Sequence, residues 1–410
     1  MAKSLFQESV KLVGLPGATA GTRFVGATTS GYPTSGSFLV GDFAVDQTGG
    51  MWICTASGSP GTWARGGFPI NENVAGKNFV INGNMDIWQR GVGPFYTASG
   101  TNYSADQWSY TQGSTGGTGT MNLVTSQSTN VPAASSAKYS LSVTITGAYS
   151  GTLQEVASRQ RYEAQHVRPL QGSPVTVSFW YYSNVSGSHG VRIGFDTSNS
   201  GTYTNSSAYT FNYPTINTWQ YVTQTFTSLI GFSMGTENDN AFAAFLDIGP
   251  RVGGATTYGQ ITVTSGNSWS LAQVQMEIGN TATPFSRAAG TFQQELALCQ
   301  RYYWQQGGTQ TYEPYGNGFG VSSIDFTCKI QPPVIMRIIP TMSFLNVRIV
   351  QSNTTTIIAP AATSGTINVT NSSPYMFGTD FFATGLYQGY PGWISANNTT
   401  NSYIAFSAEI

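Results

Sequence analysis

Charge is what this sequence has least of. Of its 410 residues, 9% are Asp, Glu, Lys or Arg, against about 25% in an ordinary soluble domain. The 17 basic and 18 acidic residues nearly cancel, leaving a net charge of −1. A nucleic-acid surface needs clustered Lys and Arg and an anionic membrane surface a polybasic run. Neither is present, so no nucleic acid is expected as a partner. Long apolar runs are missing too: no stretch of about 20 apolar residues suits a membrane-spanning helix, and no membrane insertion is expected. The opening MAKSLFQESVKLVGLPG lacks the apolar core of a secretory signal. Cysteine is scarce, at Cys54, Cys299 and Cys328. Their odd number and wide spacing argue against a disulfide framework and a zinc site, and they read as buried thiols made in a reducing cytoplasm.

The groups that do chemistry are equally thin. Two histidines, His166 and His189, are the only ordinary neutral-pH bases. Ser188-His189 lies in a Gly/Ser turn, which by itself makes no triad. Glycan hydrolysis needs two carboxylates about 5–10 Å apart. Glu155 with Glu163, and Glu237 with Asp239, are the acids close in sequence, and both pairs read as solvated loop or strand-edge groups. GNGFG, residues 316–320, has no P-loop lysine and no following helix, and reads as a bare turn. No catalytic residue, metal or cofactor is expected, so the protein reads as a non-enzyme.

What the chain has is 48 glycines, 13% aromatics and abundant Ser, Thr and Asn. Short runs alternate apolar and polar: Leu141, Val143 and Ile145 in YSLSVTIT; Val175, Val177, Phe179 and Tyr181 in VTVSFWYY; Val191, Ile193 and Phe195 in VRIGF; then WQYVTQTFT and FAAFLDI. Period two broken by Gly/Ser/Asn turns is the pattern of a sandwich or jelly roll. The fold class is all-β and multi-domain: a central jelly-roll β-sandwich, one connecting helix and a distal β domain. Residues 1–75 form an N-terminal β unit with strands FAVD and MWICT. Residues 76–287 form the jelly roll and 309–410 the distal domain, with strands in GVSSIDFTCKI, PTMSFLNVRIV, TTTIIA and SYIAFSAEI. Between them, residues 288–308 hold a helix over 288–305. Thr291 and Gln294 fit a capping box, and Phe292, Leu296, Cys299 and Tyr303 form its stripe.

Three groups of side chains are candidates for a site. Alternation places Trp180 and Tyr182 on the non-core face of VTVSFWYY, and Arg192 and Asp247 on the non-core face of their strands. Aromatic faces and a few polar groups are what hold a neutral sugar. Tyr387, Tyr390 and Trp393 stand in GLYQGYPGW, a Gly/Pro-rich loop. In NFVINGNMDIWQRG, Asp86, Trp88 and Arg90 fall on alternate positions, which on a strand share one face. They read as a structural clamp, an Arg–carboxylate pair beside a half-buried indole.

NFVINGNMDIWQRG, YSADQW, VTVSFWYYS, EIGNTATPFSR and ELALCQRYYW, in that order, resemble segments of tail-fibre and receptor-binding proteins of tailed bacteriophages. The WQRG segment and the CQRYY helix carry most of the resemblance, which spans roughly residues 76 to 345. GDFAVDQTGGMWICTASGSPGTW is similar to short β units of fibres. SRQRYEAQHVRPLQ departs from the pattern as an insertion-like stretch. The resemblance implies a carbohydrate-binding-module-like jelly roll, a place in the virion, a homotrimer packed through the helix, docking to other virion proteins through residues 1–75, and a distal tip touching a host-surface glycan or protein. Related jelly rolls hold a structural calcium in some cases; no Asp-rich loop marks one here. The alternatives are a structural virion component, such as a head fibre or baseplate protein, and a polysaccharide depolymerase.

Overall fold

The computed structural model describes residues 23–47, 50–66, 75–97, 102–118, 122–147, 150–195, 205–227, 244–252, 264–353 and 356–410. The chain divides into two compact units, residues 1–72 and 73–410.

The first unit is a four-stranded sheet of Arg23–Thr28 (β1), Asp42–Asp46 (β2), Met51–Ala56 (β3) and Thr62–Gly66 (β4), in that spatial order. FAVD and MWICT are its two central strands. Its core is small, built on Ala44, Cys54 and Trp63, so buried polar groups share the work. The Asp46 carboxylate accepts from Gly50 N (2.7 Å), Gly31 N (3.0 Å) and Trp52 Nε1 (2.9 Å), tying two turns to the sheet.

The second unit opens with a jelly-roll-like sandwich. Its strands are Phe95–Thr97 (β5), Ser109–Thr118 (β6), Leu123–Ser128 (β7), Ser140–Ile145 (β8), Ser150–Tyr162 (β9), Val175–Ser183 (β10), Gly187–Phe195 (β11), Asn205–Tyr213 (β12), Gln220–Phe226 (β13), Ala244–Arg251 (β14) and Ser268–Ile278 (β15). One sheet runs β13-β10-β15-β8-β7-β5 and the other β12-β11-β14-β9-β6. The alternating residues do what alternation requires: Val175, Val177, Phe179, Tyr181, Val191, Ile193, Leu246 and Ile248 all enter one core between the sheets. The stretch SRQRYEAQHVRPLQ ends β9 and makes a single helical turn, Ala164–Val167 (α1).

The connecting helix is shorter than its sequence suggests. It runs over Phe292–Gln300 (α2), capped by Thr291, whose hydroxyl accepts from Gln294 N at 3.3 Å. The stripe is corrected as well: Phe292 is 45% exposed, while Glu295 and Cys299 are the buried positions. A carboxylate can face inward here because it caps other backbone groups, accepting from Asn82 N (2.6 Å) and Ala289 N (2.9 Å). Tyr303 leaves the helix altogether and begins a strand, because the chain there pairs with the C-terminal strand.

The distal part holds Tyr303–Gly307 (β16), Pro314–Gly320 (β17), Asp325–Ile330 (β18), Thr341–Leu345 (β19), Val347–Ser352 (β20), Ile357–Ile358 (β21), Ser364–Ile367 (β22), Phe377–Phe382 (β23), Pro391–Ala396 (β24) and Tyr403–Ser407 (β25). They form a three-stranded sheet, β16-β25-β19, and a seven-stranded sheet, β21-β20-β24-β17-β18-β23-β22, around Phe326, Ile349, Phe377, Phe381, Ile394 and Phe406. GNGFG is not a turn but the body of β17. A Cβ on Gly318 would stand 1.9 Å from Thr327 O of the next strand, so the glycine permits a closer approach of backbones than a side chain allows.

Candidate functional site

Trp180 and Tyr182 lie, as alternation places them, on the outer face of the six-stranded sheet. The neighbouring strand brings two more aromatics beside them. Trp180 pairs in register with Tyr221, their rings 5.2 Å apart, and Tyr182 stands 5.4 Å from Trp219. Polar tips fix the rings: Tyr182 Oη donates to Asn217 Oδ1 (3.3 Å) and Trp219 Nε1 to Asn130 Oδ1 (3.2 Å). Tyr221 is 44% exposed, and the other three are half-buried. The result is a platform of four aromatic side chains on two adjacent strands, the rings tilted 52° and 47° within the two pairs. The same alternation that turns Trp180 outward also turns Trp219 and Tyr221 outward, opposite the inward Val222. Their adjacency to β10 needs the fold.

Arg192 and Asp247 do not join this platform. They lie on the outer face of the other sheet, and both are buried, at 1% and 0% exposure. Asp247 takes a bidentate pair from Arg159 (2.7 and 2.9 Å) and a contact from Arg192 at 2.5 Å, while Arg192 also reaches Glu155 at 2.7 Å. Both guanidiniums lie over the Phe245 ring, 4.4 and 4.8 Å from its centre. Burial pushes the Asp247 carboxyl up, but Arg159 and Arg192 together hold it below its ordinary range. With its charges already matched, this cluster is a structural ion network rather than an open site. Parity fixes the face of a strand, not the sheet it joins.

Tyr387 and Tyr390 form a turn, rings 5.8 Å apart, held by buried Gln351. Its amide donates to Tyr387 O (3.1 Å) and Tyr390 O (3.0 Å) and accepts from Tyr387 N (3.0 Å). Trp393 is not on that loop but in strand β24, opposite Asn317 of β17. Tyr390 and Trp393 are 39% and 41% exposed.

The segment NFVINGNMDIWQRG forms successive turns rather than a strand, so Asp86, Trp88 and Arg90 do not pair across one face. Asp86 binds Arg287 at 2.5 Å. Arg90 reaches Glu409 at 2.7 Å, with Asp106 at 3.8 Å, and lies 3.5 Å above the Tyr303 ring. Trp88 is half-buried against the sandwich core, its Nε1 donating to Met85 O at 2.7 Å. Asp86 and Arg90 therefore do not pair with each other, and the Arg90–Glu409 contact joins this segment to the end of the chain. Arg161 and Tyr103 add to the joint by donating to Ile410 O at 2.8 and 2.7 Å.

The titratable groups named from sequence are committed elsewhere. Glu163 receives Arg301 (3.0 and 2.8 Å) and Tyr302 Oη (2.5 Å), and Glu155 belongs to the arginine network; neither is a solvated group. Glu237 and Asp239 lie outside the described residues. Cys54, Cys299 and Cys328 are free and buried, and burial pushes the Cys328 thiol up to about 12. Among the described residues, no group of three or more His, Cys, Asp or Glu side chains could hold a metal ion, and no helix is long and apolar enough to cross a membrane.

His189 is fully buried among Tyr181, Phe211 and Tyr213. Nδ1 meets Tyr181 Oη at 2.8 Å and Nε2 meets Val185 O at 2.9 Å, a pattern that suits the neutral ring with its proton on Nε2. Burial lowers its pKa to about 4. A pKa depressed on folding stabilises the fold above the unfolded value of ~6.5, and that contribution is lost as pH falls towards 4. The expected loss by pH 4.5 is ~2–3 kcal/mol from this residue. Asp106, Glu295 and Glu409, raised chiefly by burial, act in the opposite sense, favouring the fold as they are protonated. The check is therefore a difference: urea unfolding of the native chain and of His189→Gln at pH 7 and 4.5. The variant is expected to lose less stability between the two pH values. Equal losses would mean that His189 does not carry the effect.

No protein-family model matches this chain, and no curated protein matches it in sequence. Solved structures similar to it include the enzymatically active domain of tailspike protein 4 of bacteriophage CBA120, at 14% identity over 49% of this chain with a TM-score of 0.27. The match spans about a fifth, 21%, of that chain. Similar too are the CBM22-2 xylan-binding domain of Paenibacillus barcinonensis Xyn10C (13% identity, 42% of this chain and 92% of that one, TM-score 0.25) and the CBM22-1-CBM22-2 tandem of the same protein (9%, 81% and 96%, TM-score 0.28). These likenesses are distant and assign no ligand to this chain.

Proposed function

We propose that this protein is a non-enzymatic bacteriophage virion component, a tail fibre that holds a host-surface glycan for adsorption. The observation that carries the reading is the four-ring platform Trp180–Tyr221 and Tyr182–Trp219, with two ring pairs 5.2 and 5.4 Å apart on a rigid sheet. Clustered aromatic rings, tilted 52° and 47° within the two pairs, with amides beside them suit the apolar face and hydroxyls of a neutral sugar. The N-terminal segments in residues 1–75 would attach to the virion. Copies of the chain, arranged as a trimer, would turn weak single contacts into firm adsorption through effective concentration. The non-enzymatic reading is supported by the two histidines, His189 buried and His166 half-buried with its Nε2 against Phe79 O at 2.8 Å, both with pKa values lowered by burial, and by Glu155, Glu163 and Asp247, which are engaged with arginines.

The test uses purified protein and host cells. Losing one stacking ring should weaken binding by about 1–2 kcal/mol, roughly five- to thirtyfold, in Trp180→Ala and again in Trp219→Ala. Unchanged adsorption in the double variant sinks the platform. Loss of adsorption in Tyr390→Ala with Trp393→Ala instead would move the contact to the distal tip.

A second reading, a structural virion component, is favoured by the distal domain's exposed apolar side chains. Phe319 is 51% exposed, Ile335 and Tyr375 61%. Such side chains suit burial against other virion proteins.

A further inference from the structure

A cleft of about 450 Å³ opens where the sandwich meets the distal strands, lined among others by Arg90, Phe95, Tyr303, Gln305, Asn401 and Tyr403. The platform contributes no residue to it. From these residues we infer a second binding site, one that takes the end of a neutral saccharide. The inference rests on the reading above only for the class of ligand.

The walls are positioned by strand parity. Strands β16 and β25 pair with Gly307 opposite Tyr403 and Gln305 opposite Ala405. Tyr303, Gln305 and Tyr403 therefore share one face of the three-stranded sheet, turned to the cleft, while Trp304, Ile404 and Phe406 pack into the distal core. Phe95 faces them from the edge strand of the sandwich. Tyr303, Gln305, Tyr403 and Phe95 are thus held by strands, while Asn401 comes from the loop before β25, and the volume falls within the ~300–1,000 Å³ of small-ligand sites.

Apart from Arg90, the lining is aromatic or polar and uncharged. Gln305 Oε1 accepts from Tyr303 Oη at 2.6 Å, which leaves its Nε2 hydrogens for a ligand. The Asn401 amide and the Tyr403 hydroxyl add donors and acceptors at the rim. The one cation is already matched, with Glu409 at 2.7 Å and Asp106 at 3.8 Å, so the two carboxylates disfavour an acidic sugar. Rings for C–H faces, amides and hydroxyls for sugar hydroxyls, and no surplus positive charge describe a neutral pyranose end rather than a phosphate, a uronic acid or a peptide.

The experiment is saturation-transfer NMR on the full chain with maltose, lactose and methyl glucoside, and with glucuronic acid as the acidic arm. At least one neutral sugar should bind more tightly than glucuronic acid. Its affinity should fall at least about fivefold in Gln305→Leu and in Asn401→Ala, and stay unchanged in Trp180→Ala. Asn401 is exposed, so its variant tests the site without disturbing the fold, and Tyr403→Phe should retain ring stacking and most of the binding. Neutral binding that survives both cleft variants, glucuronic acid binding best, or no sugar binding at all overturns the inference. Binding abolished only by Trp180→Ala would do the same while leaving the platform standing.

Discussion

Replacing Asp247 with alanine is expected to destabilise the second unit by ~3–5 kcal/mol, the range for breaking a buried ion pair from one side. Arg159 and Arg192 would then face each other across Phe245, with Glu155 beside both. Taking all four charges away should cost far less. A quadruple variant, Glu155→Gln, Arg159→Met, Arg192→Met and Asp247→Leu, is expected to recover most of the loss, because desolvation of the charges disappears with the charges. Urea unfolding followed by tryptophan fluorescence measures both. A loss below ~1 kcal/mol in Asp247→Ala would mean that water reaches the cluster and screens it. The glycine beside it points the other way: a Cβ on Gly194 would stand 2.1 Å from the Phe245 ring, as expected of a packed assembly of two guanidiniums over one ring.

The network also explains which parts of the molecule the sequence discloses. Alternation is a local signal, and where one face of a strand is buried it is nearly decisive. Val175, Val177, Phe179 and Tyr181 are each fully buried, and Trp180 and Tyr182 turn outward. Which strand lies beside β10 is not local. Trp219 and Tyr221 follow VTVSFWYY by some forty positions, and nothing in either segment pairs them. For the same reason Arg192 and Asp247, grouped with Trp180 by parity, belong to the opposite sheet. The cleft is less legible still, since Arg90, Tyr303 and Tyr403 come together only when the C-terminal strand returns to β16.

Two misreadings have a common cause. GNGFG and NFVINGN are both rich in turn formers, yet one is a strand and the other, read as a strand, is a set of turns. In GNGFG the glycines recur at every second position, the period of a strand, and Gly318 is placed where a neighbouring carbonyl leaves no room for a side chain. In NFVINGN the asparagines supply what a sheet would otherwise supply. Asn78 Nδ2 donates to Val274 O (3.1 Å) and Ser286 O (2.9 Å), and its Oδ1 accepts from Val80 N (2.9 Å) and Met276 N (3.0 Å). Buried backbone must find partners, and here amide side chains provide them. Three asparagines within seven residues, Asn78, Asn82 and Asn84, were the available clue.

Asn82 concentrates this role, and Asn82→Ala is the second large effect expected. Its Nδ2 donates to Ile87 O (2.9 Å) and Asp106 O (3.0 Å), and its Oδ1 accepts from Asp86 N and Ile87 N, both at 3.0 Å. Removing the amide leaves these buried groups short of partners, at roughly 1–3 kcal/mol for each unsatisfied group before relaxation. Asn82 also sits at φ +55°, a conformation that asparagine tolerates and that costs alanine about 1 kcal/mol. The combined loss should be about 3–5 kcal/mol. Asn82→Gly separates the two contributions: it loses the same bonds without the backbone penalty, and should be about 1 kcal/mol better than alanine. Because the loop carries Arg90 to Glu409, the alanine variant should also loosen the joint between the sandwich and the distal strands. Hydrogen exchange would register this as lost protection at the amides of Tyr303–Gly307, measured where the sandwich amides remain protected. Full protection of that strand in a destabilised Asn82→Ala chain would mean the loop stabilises the sandwich alone and the joint is held by Arg161, Tyr103 and Ile410 without it.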